Sequence, residues 1–151
     1  MNSFSFRLQR LLGFRHIQEE EAKRELGIRR LELEKEAARL SNLRREEEEI
    51  LKQWRRQLDQ EIELPRLQLT QEYSRVLENR LFRQSEQHRK SEDRVNEQRE
   101  VARQCWRKKR MLEVLKDKAR LEHIQREQVA EQNLIDELVM NSYFRKGGDE
   151  K

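Results

Sequence analysis

The chain has a single proline, Pro65, and only four glycines among its 151 residues. So few breakers exclude a sandwich or barrel of short strands, which needs a turn roughly every 8–12 residues. One cysteine, Cys105, excludes an intramolecular disulfide and a cysteine-based zinc cluster. Aromatic residues make up 6% and apolar residues 34%, too few for a wide core, so burial has to come from narrow seams. No apolar run approaches a membrane span. The opening MNSFSFRLQRLLGFRH, interrupted by Arg7 and Arg10, lacks the apolar stretch of a signal peptide. These features read as a soluble intracellular protein. There is no large excess of one charge either: 34 basic and 30 acidic side chains leave +4, a mixed field despite a pI near 9.4. The chain has no glycine-rich phosphate loop, nucleophile elbow or HExxH. Helices with solvated carboxylates also offer no deep pocket. No enzyme, cofactor or metal site is expected.

Charge is abundant, at 42% of residues, with much Glu, Arg, Lys, Gln and Leu. That is the composition of a long helix or coiled coil. Near-cancellation of charge and helical recurrence of apolar residues argue against disorder. Helix one is expected over about 6–62, interrupted only by Gly13 and Gly27. Pro65 removes a donor and biases Leu64 away from helix, which places a turn at about 63–68. Helix two follows over about 69–145, then a tail at 146–151. Glu19–Lys23, Glu20–Arg24, Glu25–Arg29, Glu48–Lys52, Glu86–Lys90 and Glu122–Arg126 are acid-before-base pairs four apart, the favoured order. Short connections join antiparallel neighbours. The expected fold is therefore all-α, a single two-helix antiparallel coiled-coil hairpin over 1–151. With the turn centred near 66, facing residues sum to roughly 132. That register sets Trp106 opposite Leu26 and the basic run Arg107–Arg110 among Glu19, Glu20, Glu21 and Glu25. It also sets the acidic run 46–49 near Arg80 and Arg83.

At roughly 100° per residue, Ala22, Leu26, Leu33, Ala37, Leu40, Leu51, Leu58 and Ile62 share one direction. Leu43, Ile50 and Trp54 form a second stripe, rotated by roughly 60–80°. Helix two likewise shows Leu69, Tyr73 and Val76 on one face and Leu77, Leu81 and His88 on another. The register opposes Leu43 to His88, Ile50 to Leu81 and Trp54 to Leu77. Two readings stay open: a broad core, or an exposed apolar patch that marks a partner site. His88 by itself reads as a rim residue rather than a ligand. Phe6 faces only about residue 126, which leaves Leu134, Ile135, Leu138, Tyr143 and Phe144 without a partner in the chain. Arg99, Arg103, Arg107 and Arg110 form a basic stripe, but no leucine heptad follows it as bZIP recognition requires.

Three segments resemble the flagellar FliJ family. FSFRLQRLLGFRHIQEEEAKRELG is similar to its aromatic-x-Phe-Arg-Leu opening, CWRKKRMLEVL to its Trp-Arg-x-Lys-Lys-x-x-Leu stretch, and EQNLIDELVMNSYFRK to its C-terminal segment. Their order and spacing cover nearly the whole chain. The resemblance implies a small cytoplasmic, non-catalytic component of the flagellar type III export apparatus, folded like the γ-subunit stalk of a rotary ATPase. Implied partners are the export ATPase hexamer, the cytoplasmic region of the export gate protein, and export chaperones, with no nucleic acid. Membrane association would be peripheral, through the apparatus at the flagellar base. Matched by spacing, the family's gate contacts fall on Arg39, Leu43, Glu46 and Ile50 and on Leu77, Leu81, Gln84 and His88. Leu43, Ile50, Leu77, Leu81 and His88 also belong to the extra stripes. The implied ATPase-ring contact lies at the open end, with Phe6, Arg7, Arg10, Leu138, Tyr143 and Phe144. Alternatives are an injectisome stalk, a homodimeric structural coiled coil, and a basic nucleic-acid-binding helix.

Overall fold

The computed structural model describes residues 3–60 and 63–146, with side chains through Arg145. Among these residues there are two helices and no strand: α1, Gln9–Leu58, and α2, Leu64–Lys146. The all-α expectation holds, with different helix bounds. α2 begins at Leu64 rather than 69, because Pro65 lies inside its first turn, where a missing N–H costs nothing. The Glu63 carbonyl opens the helix by accepting from the Arg66 and Leu67 amides at 3.0 and 3.3 Å. α1 ends at Leu58, with Arg55 and Arg56 favourably placed against the C-terminal end of its dipole. Ile62 and the tail from Gly147 lie outside the described residues, whereas Lys146 still belongs to α2. Chain contacts divide the molecule into two units, Glu19–Cys105 and Met1–Gln18 with Trp106–Lys151.

Glu19–Cys105 is an antiparallel helical hairpin. Its register is written in three cross-helix hydrogen bonds. Tyr73 donates to Glu46, Gln84 donates to Glu36 (2.6 Å to Oε2, 3.2 Å to the backbone oxygen), and Gln98 donates to the Ala22 carbonyl at 3.2 Å. Facing numbers therefore sum to 119–120 rather than 132. The cause is the early start of α2, which moves the turn's centre towards residue 61.

The seam follows a heptad without a break. On α1 its positions, all buried or half-buried, are Glu19, Ala22, Leu26, Arg29, Leu33, Glu36, Leu40, Leu43, Glu47, Ile50, Trp54 and Gln57. On α2 they are Leu67, Thr70, Ser74, Leu77, Leu81, Gln84, His88, Ser91, Val95, Gln98, Ala102 and Cys105. Both series step by three and four. This merges the two stripes expected on α1 into one. A straight helix drifts about 20° per heptad from a 3.5-residue repeat, or about 80° over the four heptads from Ala22 to Ile50. Supercoiling absorbs that drift, so Leu43, Ile50 and Trp54 share the seam with Ala22 and Leu26. Ala37, Leu51 and Leu58, expected in the seam, are exposed.

At several levels the register pairs like with like. Leu43 falls opposite Leu77, Leu40 opposite Leu81, Leu26 opposite Val95, and Glu36 opposite its hydrogen-bond partner Gln84. Long polar side chains meet small ones, with Arg29 opposite Ser91 and Gln98 opposite Ala22. A slipped register would set Glu36 or Arg29 against leucine and strand a buried polar group, at about 1–3 kcal/mol each. The seam's polar half thus specifies alignment, while Leu40, Ile50, Leu77 and Val95, 2–8% exposed, supply its apolar burial.

In the other unit, the residues ahead of α1 run along α2. The Phe4 ring meets His123 edge-on, with centroids 5.6 Å apart at 72°. Leu112 is buried, and Phe6, Leu12, Lys116 and Ala119 are half-buried. Beyond Glu127 every described residue through Arg145 is exposed. Phe4 sits beside His123, so α2 has outrun the rest of its unit there.

Several ion pairs link residues three or four apart on one helix. Lys23 reaches Glu19 at 2.9 Å and Arg29 reaches Glu25 at 2.9 Å, as expected. Lys52 instead takes Glu49, three residues away, at 3.0 Å. The Glu19 hydrogen bond raises the pKa of Lys23. Glu19 is buried in the seam, but the other pairs are exposed or partly so, and such pairs contribute only about 0.3–0.5 kcal/mol each.

Candidate functional site

Three surfaces bear on function: the middle of the hairpin, the projecting end of α2, and the face around Trp106.

The structure places Leu43, Ile50, Leu77, Leu81 and His88 along the seam, with Ile50 and His88 at well-separated levels of it. Ile50 is 6% and Leu77 2% exposed, and Leu43, Leu81 and His88 are half-buried. Neither reading left open by the sequence holds as stated: these residues lie within one narrow seam, Ile50 and Leu77 buried and the other three half-buried. The expected pairings also change. Leu43 falls opposite Leu77 rather than His88, Ile50 opposite Thr70 rather than Leu81, and Trp54 opposite Leu67 rather than Leu77. Arg39 is exposed and bound to Glu36 at 2.8 Å, while Glu46 accepts from Tyr73 rather than meeting Arg80 or Arg83 across the hairpin. That hydrogen bond, helped by partial desolvation, holds the Tyr73 phenol above its ordinary value near 10. The apolar groups a partner can reach at this level are others. Leu51, Leu69, Tyr73, Val76 and Phe82 are 41–69% exposed, all of them outside the seam heptad.

At the projecting end, Leu134, Ile135, Leu138, Val139, Met140, Tyr143 and Phe144 are 47–76% exposed. They occupy nearly every side of the helix, so one flat partner surface cannot cover them. The sequence reading named five of them and missed Val139 and Met140. Phe6 is half-buried, Arg7 and Arg10 are exposed, and Phe6 and Arg7 line a hollow of about 690 Å³ with Leu115, His123 and Arg126. This hollow stops at Arg126, and Leu138 lies twelve residues further on, about 18 Å along α2. The expected open-end group is therefore two surfaces: an aromatic hook at Phe4–Leu8 and a bare helical tip.

Trp106 does not lie opposite Leu26. It is 52% exposed, and the register gives Leu26 to Val95. Nor is the run Arg107–Arg110 a single face: Lys109 is half-buried, while Arg107, Lys108 and Arg110 are exposed. The sequence missed the groove beside them, about 570 Å³, formed by Trp106, Met111, Val114 and Leu115 with the stems of Arg107 and Arg110. Its apolar members fall outside the seam heptad through Cys105, Lys109 and Leu112. A heptad count would have found them.

None of the described helices is long and apolar enough to cross a membrane. Among known families, the model described as flagellar FliJ protein matches residues 4–148, nearly the whole chain. No curated protein and no solved structure matches.

Proposed function

The chain belongs to the flagellar FliJ family, whose members are components of the flagellar export apparatus, and we propose that it serves there as a non-catalytic stalk, seated by the tip of α2 in the export ATPase ring. The observation that carries this is the tip itself. Seven large apolar side chains between Leu134 and Phe144 are 47–76% exposed, on a stretch of helix that no described residue of its own unit covers. A ring that encloses the helix can bury apolar groups on all its sides, whereas a flat partner covers one. Leu138, Tyr143 and Phe144 are the proposed anchors, with Arg7 and Arg10 as a basic collar nearer the hook. The helices transmit a mechanical or allosteric signal and perform no chemistry. On this reading the protein is cytoplasmic and peripheral at the inner face of the membrane, with export chaperones as further partners.

The gate contact is proposed in a narrower form. Leu43, Leu81 and His88 keep partial exposure and can offer their edges to the cytoplasmic region of the export gate. Ile50 and Leu77 can contribute only by supporting those edges, since reaching them means parting the helices.

The test is binding of the purified chain to the export ATPase, with Leu138→Asp/Phe144→Ser beside wild type. Affinity should fall at least about tenfold, the loss of two anchors, with helix content unchanged by circular dichroism. Wild-type affinity in the double variant would sink the ring reading.

A further inference from the structure

We propose that the α2 face built from Trp106, Met111, Val114 and Leu115 is a docking site for an acidic amphipathic helix of a partner protein. It is independent of the stalk reading and uses none of its residues. The four side chains are 48–67% exposed and line one shallow groove. From Trp106 to Leu115 the groove runs about 14 Å, or two and a half turns. That length suits a helix whose anchors recur at i, i+3 or i+4, and i+7.

Charge selects the occupant. Between Trp106 and Arg120 the chain holds seven basic and two acidic side chains, an excess larger than the +4 of the whole protein. Arg110 is paired with Glu113 at 3.2 Å, but Arg107 and Lys108 make no ion pair among the described residues. Arg107 lines the groove itself. A helix with large apolar residues on one face and carboxylates beside them satisfies both features. A second copy would bring the same basic face against itself. The chain's own tail, GGDEK, has no apolar residue to insert. Single-stranded nucleic acid is recognised by successive aromatic platforms along a basic track, whereas here one indole stands among aliphatic side chains.

The experiment uses the full chain carrying Trp54→Phe, which leaves Trp106 as the only tryptophan. The probe is a synthetic helical peptide of about four turns, with leucine on one face and glutamate flanking it. Controls are the same peptide with lysine for glutamate, and a single-stranded oligonucleotide. Saturable blue-shifting of Trp106 emission is expected with the glutamate peptide, and binding at least about tenfold weaker with the lysine peptide. Val114→Glu should abolish the effect, and Arg107→Glu should weaken it. Met111→Ser provides a second test of the groove should Val114→Glu lose helix content. The proposal is overturned if the glutamate peptide gives no saturable shift, if both peptides bind equally, if the oligonucleotide binds more tightly, or if raising protein concentration alone produces the shift.

Discussion

α2 carries two contrasting stretches. From Leu67 to Cys105 the apolar residues of its seam heptad face α1, and Leu77 and Val95 are 2–3% exposed. From Val129 to Phe144 its large apolar residues are 47–76% exposed. Apolar content alone would predict the reverse, since the seam stretch devotes half of its heptad positions to polar or small hydroxyl residues such as Thr70, Gln84 and Ser91. The difference is a neighbour. Where α1 runs alongside, even a polar seam closes, because polar groups such as Glu36 and Gln98 find partners across it. Beyond the hook at Phe4 no complement remains, and a more apolar stretch stays open. Burial in this molecule is a property of the helix pair, while exposure at the tip marks what another molecule has to supply.

The sharpest way to break this comparison is the same substitution in both stretches. Leu77→Asp buries a charge opposite Leu43 and should cost about 3–5 kcal/mol, enough to lower the thermal transition by many degrees. Leu138→Asp should leave the transition within about 0.5 kcal/mol of wild type. Equal effects in circular dichroism melts would erase the distinction. Leu81→Asp should fall between the two, because Leu81 is half-buried. A melt indistinguishable from wild type would restore it to the surface.

Smaller changes sharpen the account of the seam. Gln84→Ala removes both cross-helix hydrogen bonds to Glu36 and should cost about 1 kcal/mol in urea titration. Gly27→Ala should stabilise by about 0.5–1 kcal/mol, since a methyl group there meets nothing within 4 Å and the residue is helical. Unchanged or reduced stability would mean that Gly27 meets something in the assembled molecule. The smallest effect is on pH dependence. Tyr73 has its pKa raised by donating to Glu46, so it favours the folded state below the unfolded value near 10. That contribution is lost as pH climbs through the raised folded value. Glu46→Gln should move the phenol's titration downward, read by ultraviolet absorbance. No movement would mean that the hydrogen bond does not form in solution.

Much of the fold was legible from the chain. Scarce breakers, balanced charge and the lone Pro65 set out two long antiparallel helices. The bare tip at Leu134–Phe144 was legible too, because a helix two longer than helix one has to project. Register was not. Pro65 reads equally well as a turn residue or as a first-turn residue, and the choice shifts every facing pair by about twelve positions. The second stripe expected through Leu43 and Ile50 was misplaced for a related reason. On an ideal straight helix, Leu43 and Ile50 point away from Ala22, and only the twist of two helices around each other returns them to one seam.

Sequence by itself settled helicity, the break between the helices and the family, since local propensity, charge spacing and short motifs survive without knowledge of neighbours. Tertiary structure decided which apolar residues are core and which are surface. Leu77 and Leu69 are both leucines on one helix, and only the position of α1 makes the first 2% and the second 69% exposed. Burial is a relation between elements, and a heptad half filled with polar residues is recognisable only once its complement lies opposite.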